Sequence, residues 1–448
     1  MSRGSRTTPI SGDGSGLVTD RRTLLRASLG GAGLLLAAPA LAACGGKSSA
    51  ASSGGGGGGN LTFGSDGSDP TPRKAYGALT AAYTAASGMQ VRTNVLDHNT
   101  FSQQITAYLQ GTPEDVVTWF AGYRMQFFAA KNLLHPIDDV WDTIGAGFSD
   151  AAKKLSKGLD GKTYFVPLYN YPWGVFYRKS LFQAKGYQPT ADWDSFVALC
   201  AQMKKDGLSP LAAGFGGGDS WTNLGTFDYL NLRINGYDFH MQLMGGKVSW
   251  SDPRLNAVMD HWRQLAPYLE PGASGRKWQD AAQSVFDKKS GMTVTGLFMG
   301  QAITDDSLRE DIDFFAFPAI DPTNGQDAVE APTDGFVLSA KAKHVDAGKK
   351  MLEWIGTSAA ETVYANVDPS NVGASTKADT SKYNALQQKS AQMIASAKYI
   401  TQFGDRDSDP GFISAVVEPG FAQWLASPDD GASTLKKIES QRSQYFTS

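Results

Sequence analysis

Between Leu61 and Asn132 the apolar periodicity switches repeatedly between two residues and about 3.6, and few folds accommodate that alternation. Leu61-Thr62-Phe63-Gly64 reads as a short strand. Arg73 to Ser87 places Tyr76, Leu79, Tyr83 and Ala86 on one helical face. From Gln90 to Leu96 the alternation of Val91, Thr93 and Val95 is that of a strand. Thr100 is a candidate cap for a helix carrying Phe101, Ile105, Tyr108 and Leu109. Asp115 to Trp119 reads as a strand again, and Tyr123 to Asn132 as a helix. Strand and helix in strict alternation predict an α/β fold with a mainly parallel sheet covered by helices. Ligands of such sheets bind beyond the carboxyl ends of the strands. That rule selects the loops Ser65 to Asp69, Asp97 to Asn99 and Trp119 to Gly122, all rich in polar or aromatic groups.

The segment before this domain has a different character. Asp20-Arg21-Arg22-Thr23-Leu24-Leu25-Arg26 precedes an apolar stretch from Leu29 to Leu41. A membrane span needs about 20 apolar residues, so the stretch is too short to be one. A charged start, a short apolar run and small residues at its end describe an export signal, and the arginine pair fits the twin-arginine pattern. Leu41-Ala42-Ala43-Cys44 closes the run and resembles the lipobox of bacterial lipoproteins. The resemblance implies removal of 1–43 and lipidation of the Cys44 thiol. Residues 44–60 are mostly Gly, Ser and Ala and read as a flexible tether. The remaining Cys200 sits in an apolar helical context without a disulfide partner, as an inert buried thiol.

The length from 61 to 448 suits two lobes. Net charge is −3; five arginines against two aspartates precede Cys44, leaving −6 for the rest. No basic block is present, which argues against a nucleic-acid partner. Catalytic and metal patterns also fail. Gly161-Lys162-Thr163 ends like a P-loop, but Ser156 holds the place of its first glycine. The five histidines lack zinc-ligand spacing, and no G-x-S-x-G elbow occurs. Asp405, Asp407 and Asp409 begin like a calcium loop, yet Pro410 replaces the required glycine and Val416 the closing glutamate. A loop that lines a cleft and caps the next helix fits better, with Asp405 and Arg406 as hydroxyl contacts. No metal or cofactor is expected.

Four ordered pieces of the chain resemble a known family. Glu114 to Trp119 with Asn132 to Ile137 is similar to the first-lobe pattern of ABC-transporter sugar-binding proteins, the group that includes maltose-binding proteins. Gly161 to Tyr169 with Trp173 to Phe182 resembles that family's first interlobe crossing. Gly291 to Phe298 resembles its second-lobe ligand strand, and Asp334 to Ser339 with Ala347 to Ile355 its return to lobe one. The resemblance implies a two-lobed periplasmic-binding-protein-like fold with hinge strands and an interlobe cleft. Lobe 1 is expected over 61–168 plus about 334–365, and lobe 2 over 169–333 plus about 366–448. It further implies a monomer that captures a sugar or polyol and delivers it to ABC permease subunits, anchored by lipid outside the cell membrane. A secreted glycosidase or lyase and a ligand-presenting sensory receptor are the alternatives.

Positions carry over one by one. Trp119 matches the family's aromatic after the third strand, Asp66 its hydroxyl-binding acid with Asp69 as a rival, and Trp221 its second-lobe aromatic loop. Phe298 stands where maltose-binding relatives often have tryptophan. Gly122 and Tyr123 stand where the maltose pattern has an acid and an arginine, which points away from maltodextrin. Sugars stack C–H patches on ring faces and offer hydroxyls to carboxylates and amides. The expected contacts are therefore Asp66, Ser68, Asn99, Trp119, Tyr169, Trp173, Trp221, Phe298, Asp334, Asp405 and Arg406. Each has a plainer reading: a tryptophan can be core, Asp66 can cap the next helix, and Asp334 can shape a turn. Trp141, Trp193, Trp250, Trp262 and Trp354 sit in helical or turn patterns and read as packing.

Overall fold

The computed structural model describes residues 60–446. The expected export signal, Cys44 and the expected tether as far as residue 59 lie outside the described residues. Twelve strands follow in chain order: β1 Leu61–Ser65, β2 Val91–Val95, β3 Val116–Phe120, β4 Phe165–Asn170, β5 Trp173–Arg178 and β6 Ser209–Ala212. Then come β7 Ser290–Gly296, β8 Ile312–Phe315, β9 Ala328–Glu330, β10 Thr333–Leu338, β11 Val372–Gly373 and β12 Tyr399–Thr401. They form two main sheets, ordered β11-β4-β10-β3-β1-β2 and β6-β7-β5-β8, each the core of one lobe. β9 and β12 pair alone, in parallel.

The alternation read from the sequence is the βαβα rhythm of β1 to β3, which are parallel to one another. The sheet as a whole is mixed rather than mainly parallel. β10 returns from the second lobe and inserts antiparallel between β3 and β4. A strand arriving from another lobe needs no helical crossover, so nothing forces it to run parallel.

Local chemistry sets the edges of these elements. Helix His98–Gln110 is capped by Asp97, whose carboxylate accepts the Thr100 backbone N–H at 2.9 Å; Thr100 is the recipient rather than the cap. Phe101, Ile105 and Leu109 follow at four-residue spacing and are buried against β3. Helix Tyr123–Ala130 adds Met125 and Phe128 to the same cluster. Cys200 is fully buried, and burial pushes its thiol up to about 12. Trp193, Trp250 and Trp262 are buried in the core, and Trp141 and Trp354 pack against it.

Candidate ligand-binding cleft

Strand register decides which side chains face the space between the lobes. Residues directly opposite one another on neighbouring strands point to the same face. Across β3, β10 and β4 one such row is Phe120, Asp334 and Tyr169. The register of β10 on β4 shifts between Asp334 and Gly335, a bulge that re-aims Asp334. A Cβ on Gly335 would lie 2.1 Å from the Val166 carbonyl oxygen, so only glycine permits the close approach there. Phe120, Asp334 and Tyr169 line a cavity of about 270 Å³.

Trp119 belongs to the next row and turns the other way. It is 2% exposed, with Phe101, Phe120 and Phe128 at ring-centroid distances of 5.7, 5.0 and 5.4 Å. The expectation that Trp119 faces ligand is corrected: period two carries it into the lobe core, and Phe120 takes the cavity position. The other ten expected residues all line the cavity.

The polar floor is a chain of paired charges. Asp66 does not cap a helix. Its carboxylate accepts the Thr118 hydroxyl at 2.7 Å and meets His98 Nδ1 at 3.0 Å. Burial works against its charge, but His98 and Thr118 outweigh burial and hold its pKa below the usual carboxylate value. Asp334 accepts Arg406 Nη1 at 2.5 Å and the Tyr169 and Tyr171 hydroxyls at 3.3 Å each. Burial pushes its pKa up against the pull of Arg406. Arg124 donates to Asp405 at 2.5 Å. Glu418, buried and bonded by the Ser220 hydroxyl at 2.9 Å, is pushed up to about 8 by burial and by Asp405.

The second wall is aromatic. Trp173 stacks on Phe403 at 4.7 Å, and Trp221 lies 5.7 Å from Phe298. Trp278 meets Phe298 edge-on at 5.1 Å. The indole N–H groups of Trp173 and Trp221 are buried without a protein partner. Phe403 has φ of 92°, which a side chain rarely adopts and which costs about 1–3 kcal/mol. Its neighbour Gly404 donates its N–H to Asp228 at 2.8 Å, which fixes that backbone. Asp228 lies beside Glu330; burial pushes Asp228 up to about 7 and Glu330 well above its ordinary value.

Sequence reasoning missed His98, Phe120, Arg124, Tyr171, Trp278, Phe403 and Glu418, all of which line the cavity. Several were within two residues of a selected position. His98 lies inside a selected loop, Tyr171 lies between Tyr169 and Trp173, and Arg124 follows Gly122 and Tyr123. Phe403 and Glu418 carried no local signal. The loop around Asp405 behaves as expected of a cap: Asp409 accepts the Gly411 and Phe412 N–H groups at 2.9 Å each.

Comparison with known proteins decides the family. The model for bacterial extracellular solute-binding proteins matches residues 67–362. The chain belongs to that family. Among solved structures, this solute-binding protein is similar to the bacterial solute receptor AcbH, which has an exclusive substrate preference for β-D-galactopyranose. The two share 48% identity and a TM-score of 0.84, over 87% of this chain and 99% of AcbH. An uncharacterized ABC transporter extracellular-binding protein of Pyrococcus horikoshii is 26% identical over 65% of each chain. The multiple sugar-binding protein of Streptococcus mutans is 28% identical over 48% of this chain and 52% of its own. The solute-binding protein thus spans less than two thirds of the length of these two curated relatives.

Proposed function

We propose that this solute-binding protein captures a neutral monosaccharide for an ABC importer, with β-D-galactopyranose the first candidate. One observation carries the reading. Every cation on the described cavity wall already faces a carboxylate: His98 with Asp66, Arg406 with Asp334, Arg124 with Asp405. No free positive charge remains among them for a phosphate or a uronate. What remains is ring faces, two unpartnered indole N–H donors and hydroxyl-binding carboxylates, which is a lining for hydroxyls and C–H patches. The volume of about 270 Å³ lies below the ~300–1,000 Å³ of pockets for drug-sized ligands, and it suits one pyranose ring. The substrate preference of AcbH, at 48% identity, supports the same class.

The carboxylates of the cleft are engaged in ion pairs and hydrogen bonds, which favours binding over glycoside hydrolysis. We place the protein as a monomer on the outer face of the cell membrane, held by lipid at Cys44 and delivering ligand to permease subunits. Lobe 1 is taken as 61–168 with the return segment from about 334. Pairing of β11 with β4 supports running that return to about 373 rather than 365.

Calorimetry and thermal shift test the reading. At a hundredfold excess over Kd, D-galactose should stabilise the protein by about 2.7 kcal/mol. Silence towards every neutral sugar, tighter binding of galactose 1-phosphate than of galactose, or cleavage of any oligosaccharide would overturn it.

A further inference from the structure

Along one rim of the cavity the two lobes are joined by direct hydrogen bonds between their own residues. Asn99, at the start of helix His98–Gln110, donates its amide to Asp219 at 2.9 Å. Asp219 lies in the second lobe, after β6, and is 3% exposed. Its other carboxylate oxygen accepts the backbone N–H of Trp278 at 3.0 Å. The next residue, Gln279, donates to Asp69 of the first lobe at 3.1 Å. Thr71 adds a bond to the Gln301 carbonyl at 2.9 Å. Gly218 has φ of 96°, and a Cβ there would stand 3.1 Å from the Asn99 amide nitrogen, so a side chain at this position would press on the Asn99 amide.

These contacts are part of the cavity wall. Asp69, Asn99, Gly218, Trp278 and Gln301 all line it. The Asp219 carboxylate ties the Trp278 backbone and Asn99 together, and the Trp278 ring packs edge-on against Phe298. Forming the bonds therefore draws Gly218 and Trp278 across the rim. A ligand held within the cavity lets all of them form. A second sugar ring leaving through this rim has to occupy the space between Asn99 and Gly218. It would strip the buried Asp219 carboxylate of its Asn99 donor, and a buried charged acceptor that loses a partner is costly.

We propose that the Asn99–Asp219 and Asp69–Gln279 contacts are a size filter, which closes fully over one pyranose ring and rejects a glycan that continues through this rim. The proposal rests on the neutral-sugar reading above and assigns the selection to particular residues. Asn99 and Gln279 act on the ligand through closure of the rim, as positioning residues.

The test compares D-galactose with lactose by calorimetry on the wild-type protein, Asn99→Asp, Gln279→Ala and the double variant Asn99→Asp/Asp219→Asn. Asn99→Asp sets two carboxylates against each other. The double variant restores a donor–acceptor pair with the roles exchanged, while the carbonyl of the amide introduced at position 219 still accepts the Trp278 N–H. The wild type should prefer galactose; Asn99→Asp and Gln279→Ala should each lower the galactose-to-lactose affinity ratio about tenfold, the size of one lost hydrogen bond to a charged acceptor. The double variant should recover the ratio. General damage to the fold would lower both affinities together and would not be rescued by exchange. An unchanged ratio in Asn99→Asp and Gln279→Ala, or no recovery in the double variant, overturns the filter alone. A wild type that binds no neutral sugar overturns the sugar reading and the filter with it. If Asn99→Asp does not fold, Gln279→Ala decides.

Discussion

Replacing Trp119 and Phe120 in turn separates packing from binding at adjacent positions of one strand. Trp119 is buried among three rings, with the Arg124 guanidinium 5.2 Å from its own. Truncating a buried aromatic to alanine costs about 3–5 kcal/mol. At about 2–4 °C per kcal/mol, Trp119→Ala should lower the melting temperature by about 6–20 °C. The same variant, measured well below its transition, should keep galactose affinity within a few-fold. Phe120→Ala removes a cavity wall on which Arg406 rests at 4.0 Å. It should weaken binding by at least about tenfold, or 1.4 kcal/mol. Differential scanning calorimetry and titration calorimetry on both variants supply the four numbers. If Trp119→Ala does not fold, Trp119→Phe keeps a ring in the cluster and should show the same pattern at smaller amplitude. A Trp119→Ala protein of wild-type stability and poor affinity would refute the register argument.

Two further outcomes follow from the described chemistry. Burial pushes Asp228 up to about 7 beside a Glu330 raised well above its ordinary value, so the native pair retains protons that the unfolded chain releases near the ordinary carboxylate values of 3.8 and 4.5. The native state then binds more protons than the unfolded one, so stability falls as pH rises across that window. Asp228→Asn, which still offers an oxygen to the Gly404 N–H, should shrink the stability difference between pH 5 and pH 7.5 by at most about 3 kcal/mol; urea unfolding that shows an unaltered difference contradicts this. Cys44→Ser should release the protein from the cell unlipidated, and continued lipid labelling would refute the anchor.

Most of the cleft was legible because its first wall is made locally. The loops after β1, β2 and β3 follow from strand periodicity and the carboxyl-end rule alone. Trp119 shows where that reasoning breaks. Period two fixes the face of a side chain only once the strand end and the pairing are known. Reading the strand to Trp119 rather than Phe120 selected the wrong ring. Phe403 was illegible for a different reason. Its backbone is set by Asp228, far away in sequence, and no local pattern announces such a contact. The mixed first sheet was hidden likewise, since the place of β10 depends on a chain returning after a whole lobe.

That returning strand imposes an order on biogenesis. The second sheet draws its strands from one contiguous stretch, Trp173 to Phe315, and is complete once that stretch has emerged. The first sheet keeps a strand-wide gap between β3 and β4 until Thr333–Leu338 is synthesised. A nascent or truncated chain ending earlier carries two unpaired edges, the kind of surface that recruits chaperones or other strands. The sheet begun first is therefore the sheet finished last, and β3 and β4 stay open towards each other until the chain has come back from the second sheet.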